Sequence, residues 1–195
     1  MKKLFSQRTL DHQALLNKIF TRSKVSEAIE WVAQLDGATQ YWQLTSPIAL
    51  EVGDEISFHA AKGAGAATSK QWFASGSGLR INVQSNNAIE EVGGDLYLDG
   101  DLVTNYVTDF PTGGIEHTLS YVITSQDRTL SNLGASESGY EKLSGYIKKL
   151  TIKRNGVVIH EIPLTNKAQG ATQLATVGNI NAFMPNYTDA VWRKP

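Results

Sequence analysis

Asn155-Gly156 is the feature that most constrains this chain, because it sits between two runs rich in β-branched residues, 150–154 and 157–164. Asn-Gly supplies two residues that accept positive φ, the requirement of a type I′ turn, and so predicts a two-residue β-hairpin. If Arg154 pairs with Val157, then Ile152 falls opposite Ile159 and Thr151 opposite His160. Leu150, Ile152, Val157 and Ile159 then share one face, while Thr151, Lys153, Val158 and His160 share the other. One apolar and one mostly polar face is the pattern of a sheet packed on a single side.

At 195 residues the chain can hold one sizeable domain and an appendage. A net charge of −1 gives no basic field, so nucleic acid is not an expected partner. There are no cysteines, which rules out disulfide staples and thiolate metal sites. Met1-Lys2-Lys3 starts like a signal peptide, but the polar stretch 6–13 occupies the place of an apolar core. No apolar run reaches the roughly 18 residues of a membrane-spanning helix, so membrane insertion is not expected. The chain reads as an intracellular product, or one released by lysis.

Residues 1–34 contain neither glycine nor proline, and Leu15, Leu16, Ile19 and Phe20 recur at helical spacing. After a break at 21–23, with Ser23 as N-cap and Glu27 in the next turn, Val25, Ile29 and Val32 continue the stripe. This predicts two short helices or one bent one. The stripe either packs on the domain's own sheet or meets another subunit. Leu15, Leu16, Ile19, Phe20 and Ile29 are the expected interface residues, because about 30 residues of helix cannot bury both sides alone.

From Leu35 the texture changes to short strands punctuated by Gly, Ser, Asn and Asp, and 35–195 reads as the main domain. The first strand begins at Tyr41-Trp42 and is expected to close at Ser46-Pro47. Ile56, Phe58 and Ala60 alternate with polar neighbours, as do Leu79, Ile81 and Val83, and Leu119, Tyr121 and Ile123. Residues 63–78 read as a small-residue loop interrupted by Gln71-Trp72-Phe73, and Asp99-Gly100 offers a second two-residue turn. Many short strands with regular turn signals predict an antiparallel β-sandwich.

Several segments in order carry a family resemblance. Leu35-Asp36-Gly37 with Tyr41 and Leu44 comes first, followed by 54–58 and by the hairpin 96–103, Leu-Tyr-Leu-Asp-Gly-Asp-Leu-Val. Gly114-Ile115-Glu116-His117-Thr118-Leu119, then Leu133-Gly134-Ala135 with 143–147, and the closing 186–192 complete the series. Together they resemble the concanavalin A-like lectin/glucanase jelly roll, in particular the laminin-G-like variants of bacteriophage virion proteins. The resemblance spans about 33–195. It implies a jelly-roll β-sandwich carried on a capsid or tail, with a glycan as the expected ligand.

The residues point away from catalysis. Retaining glucanases of this fold carry a Glu-x-Asp-x-x-Glu strand that sets two carboxylates about 5 Å apart, and no such spacing occurs. Glu90-Glu91, Glu51, Asp54 and Glu55 stand in turn-like contexts. His12, His59, His117 and His160 are isolated and lack metal-ligand spacing. Asp95, Asp99, Asp101 and Asp109 are the candidate calcium ligands, although turn chemistry accounts for Asp99-Gly100. No cofactor is expected. Sugar binding needs an exposed aromatic platform beside planar polar groups. Trp72 is the first candidate, then Tyr106, Phe110 and Tyr140, whereas Trp42 and Trp192 are expected to pack inside.

The expectation is therefore a non-enzymatic virion structural protein, self-associating or docking through residues 1–34. The alternatives are a carbohydrate-binding protein unconnected with any virion and, behind it, a glycan-processing enzyme.

Overall fold

The computed structural model describes residues 30–63 and 70–195. The helical stripe through Leu15, Leu16, Ile19, Phe20 and Ile29 lies outside those residues. From Trp31 the chain forms one compact unit. Its strands are β1 (Val32–Ala33), β2 (Leu35–Asp36), β3 (Trp42–Leu50), β4 (Glu55–Lys62) and β5 (Gln71–Gly76). Next come β6 (Leu79–Val83), β7 (Ile89–Val92), β8 (Gly94–Leu98), β9 (Asp101–Leu102), β10 (His117–Ile123) and β11 (Arg128–Leu133). The last are β12 (Ser144–Arg154), β13 (Val157–Pro163), β14 (Thr172–Gln173), β15 (Ala182–Phe183) and β16 (Trp192–Arg193). Among the described residues there is no α-helix, only two short 3₁₀ turns.

Two antiparallel sheets of seven strands share one apolar core, as in a β-sandwich. The first runs β13-β12-β4-β10-β8-β9, with β2 also against β12; the second runs β14-β15-β3-β11-β5-β6-β7. The expected alternations hold: Ile56, Phe58 and Ala60 point inward, as do Leu79, Ile81, Val83, Leu119, Tyr121 and Ile123. Phe58 of the first sheet meets Phe73 of the second at 6.3 Å between ring centroids, and Phe73 meets Phe110 at 4.7 Å. Burial of each ring contributes roughly 2–3 kcal/mol, with about 1 kcal/mol more from each tilted pair. Trp42 and Trp192 are buried as expected.

Four expectations are corrected. Val32 and Ala33 are strand, not helix, and pair with Arg193 and Trp192, so the unit starts at Trp31 rather than Leu35. Two adjacent buried side chains suit an extended segment covered on both faces better than a one-sided helix. The first long strand does not close at Ser46-Pro47 but runs to Leu50, because its pairing with β11 breaks register around the proline. Residues 71–76 are strand β5, not loop. Its small residues reflect close packing: a Cβ on Gly76 would lie 2.0 Å from the Thr129 carbonyl oxygen.

The fourth correction concerns the central hairpin. The turn forms as expected, with φ of 51° at Asn155 and 77° at Gly156, and Arg154 pairs with Val157. A bulge at Ile159 then shifts the register by one, so Ile152 faces His160 and Thr151 faces Glu161. His160 is thereby drawn to the face of Ile152, where burial lowers its pKa. The stem is held from the other side as well. Arg154 Nε and Nη2 donate to the two carboxylate oxygens of buried Asp54, at 2.9 and 2.8 Å.

Replacing Asn155-Gly156 by Ala-Ala is expected to lower unfolding free energy by about 1–3 kcal/mol, since alanine resists positive φ at both positions. Denaturant unfolding measures this directly; an unchanged midpoint would contradict the turn assignment.

Candidate ligand-binding site on the outer face of the second sheet

The outer face of the second sheet is built by strand pairing. Trp72 of β5 pairs with Asn82 of β6, which pairs with Glu90 of β7, and cross-strand partners project to the same side. The adjoining row is Asn132 of β11, Ser75, Arg80 and Val92. Between the rows, β5 carries a bulge that sets Phe73 and Ala74 together against the core while Trp72 stays outside. A bulge re-aims side chains in this way, because the extra residue resets the alternation of the strand.

Glu90 is the hub. It is only 4% exposed, and it receives Arg80 Nη1 at 3.1 Å on one oxygen. The other oxygen receives Asn82 Nδ2 at 3.1 Å and Lys70 Nζ at 3.2 Å, together with the Gln84 amide. The Tyr106 hydroxyl donates to the same carboxylate. Burial alone would push Glu90 upward; hydrogen bonds from Tyr106, Asn82, Lys70 and Arg80 outweigh it and hold the pKa at about 2. Glu90 therefore belongs to a strand, not to the turn its sequence context suggested. Tyr106 adopts φ of 61°, a left-handed conformation uncommon for a bulky side chain, and is 60% exposed. Backbone bonds from 104–110 to Asn87 and Ile89 fold this segment along the edge of β7.

A second segment, 135–142, is pinned over the sheet by two buried polar side chains. Ser75 Oγ donates to the Ala135 carbonyl at 2.7 Å, and Asn132 Nδ2 donates to the Ser136 carbonyl at 2.9 Å. This places Glu137, Tyr140 and Glu141 beside Trp72, and Trp72 Nε1 donates to Glu141 Oε2 at 2.7 Å. The Arg80 guanidinium lies over the indole, 5.5 Å from its centroid. The result is an open depression lined by Trp72, Arg80, Glu137, Tyr140 and Glu141, with the Ser136 and Ser138 hydroxyls beside them.

Three of the four aromatic candidates thus fall on one face. Trp72 is the floor, 8% exposed; Tyr140 stands at the rim, 85% exposed; Tyr106 is linked to Trp72 through Glu90 and Arg80. Phe110 is not part of the site. It is 1% exposed and stacks on Phe73, because the segment folding along β7 turns its last residue into the core. Asp95, Asp99, Asp101 and Asp109 do not converge, and no group of three or more potential metal-ligating side chains occurs among the described residues. Asp99 occupies the second two-residue turn at φ of 52°, and its carboxylate receives His117 Nδ1 at 2.6 Å and the Thr118 N–H at 2.8 Å.

Because the folded-state pKa of Glu90 lies below its ordinary 4.5, this carboxylate stabilises the fold above that pH. The stabilisation fades as pH falls toward about 2, where Glu90 takes up its proton. Glu90→Gln is expected to cost about 3 kcal/mol near neutral pH, by leaving Lys70 and Arg80 without their carboxylate. The gap from wild type should narrow as pH drops below 4.5. Denaturant titrations across this range check it, and a gap constant with pH would contradict the assignment.

No family model matches this chain, and neither a characterised protein nor a solved structure matches it.

Proposed function

We propose that this chain is a non-enzymatic structural component of a bacteriophage particle. In this reading its main unit is a concanavalin A-like jelly roll displayed on capsid or tail, and the Trp72–Tyr140 depression meets host-surface glycans. The observation that carries the glycan reading is the convergence of Trp72, Tyr140 and Tyr106 on one outer face, interleaved with Arg80, Glu90 and Glu137. A sugar ring requires an apolar face to stack on and hydroxyl partners at its edge; exposed Tyr140 offers the face, above the buried floor that Trp72 provides. The jelly roll is supported by strand order. In the first sheet β4 lies between β12 and β10, and in the second β3 lies between β15 and β11, so neighbours are distant in sequence. The particle assignment rests on the ordered segments from Leu35-Asp36-Gly37 to 186–192.

A carbohydrate-binding protein with no particle is the second reading, because the depression speaks to a sugar and not to a virion. Residues 1–30 separate the two. If they are a docking or self-association element, the full chain is oligomeric or particle-bound while 31–195 is a folded monomer. Light scattering on both distinguishes them, and a monomeric full-length chain that attaches to no particle would contradict the docking role.

Tyr140→Ala is expected to weaken saccharide binding about tenfold without changing the unfolding midpoint, as loss of one stacking ring implies. A glycan array followed by titration of the best binder measures it. Undiminished binding would move the platform away from Tyr140, and turnover of any polysaccharide would overturn the non-enzymatic reading.

A further inference from the structure

We propose that the Trp72–Tyr140 depression selects a saccharide bearing a free ammonium group, an amino sugar, over neutral and acidic sugars; this rests on the glycan reading above. The inference follows from where the charges in the depression are already committed. Its one lining cation, Arg80, is paired with Glu90 at 3.1 Å and lies over the Trp72 ring. Lys70 is likewise paired with Glu90, at 3.2 Å. Lys142 is turned aside, its ammonium 3.4 Å from the Tyr140 carbonyl oxygen and over the Tyr41 ring. Within the depression's own lining no cation is left to greet an acidic sugar; Arg128 lines the adjoining hollow, where its Nη2 donates to Ser125 Oγ at 3.0 Å.

The anions are in the opposite condition. Glu141 spends one oxygen on the Trp72 indole N–H, and among the described residues no ion pair meets its charge. Glu137 is exposed, lines the depression, and its carboxylate has no hydrogen-bond or ion-pair partner among the described residues. Beside both stands Tyr140, whose exposed ring can take a cation on its face. Arg80 also explains why Trp72 cannot serve as the stacking face: the guanidinium already covers the indole. A ring stacked on Tyr140 with its ammonium toward Glu137 and Glu141 uses every uncommitted group. The Ser136 and Ser138 hydroxyls remain for the sugar's own hydroxyls, which favours a saccharide over a lysine side chain.

The test compares oligosaccharides of one length on the full chain: glucosamine, N-acetylglucosamine and galacturonate, with a lysine tripeptide alongside. Titrations are followed by calorimetry and by the NMR signals of Tyr140. The glucosamine oligomer is expected to bind about tenfold more tightly than its acetylated form, with the galacturonate form weakest. Glu137→Gln should remove most of that preference while leaving the unfolding midpoint unchanged. Equal affinity for the acetylated or acidic oligomer overturns the charge selection but leaves the glycan reading standing. So does a preference that survives both Glu137→Gln and Glu141→Gln. A lysine tripeptide that binds as well as the glucosamine oligomer overturns the saccharide class. Silence of Tyr140 toward every oligosaccharide overturns this proposal and the glycan reading together.

Discussion

The bulge at Phe73 is the constraint on which the rest of this molecule depends. In a regular strand Trp72 and Ala74 would share one face and Phe73 the other. The extra residue instead sends Phe73 and Ala74 inward together and leaves Trp72 outside in register with Asn82. The inward half of that choice closes the core, because Phe73 is the ring touching both Phe58 of the opposite sheet and Phe110 of the folded-back segment. The outward half starts the site, because the row Trp72–Asn82–Glu90 is fixed once Trp72 is outside.

From that row the outer face is assembled by polar side chains rather than by apolar burial. Glu90 gathers five donors from β6 and the residue after it, from the segment before β5 and from the 104–110 segment. Ser75 and Asn132 hold the 135–142 segment by donating hydrogen bonds to its carbonyls. A network whose members are all satisfied is rigid, and one with a missing member is costly. The face is therefore preorganised, and the freedom that remains is at its rim, in Tyr140 and Glu137.

Much of the fold was legible in the sequence, and the failures share a cause. Both two-residue turns were readable because Asn155-Gly156 and Asp99-Gly100 encode their backbone locally. The alternations around Phe58, Ile81 and Tyr121 were readable because nothing interrupts their period of two. Bulges are invisible to such a reading: the one at Ile159 moved His160 to the other face, and the one at Phe73 erased the alternation of β5. The bulge at Lys148 is the exception that shows the rule, since it keeps Ile147, Leu150 and Ile152 all inward through a three-residue gap. The site was half legible. Trp72, Tyr106 and Tyr140 could be named as aromatics in polar surroundings, but Phe110 carried the same local signal and went to the core. Glu90 was passed over because the isolated pair Glu90-Glu91 gives no hint that donors from five separate positions meet it.

The most direct measurement of this account is the set of nuclear Overhauser contacts made by the two adjacent aromatic rings of β5. The bulge requires Phe73 ring protons to see Phe58 and Phe110, while the Trp72 indole sees the Arg80 side chain and neither of those rings. Contacts from the Trp72 indole to Phe58 would place it in the core. They would contradict the sorting of the two faces and with it the site built on the outer one.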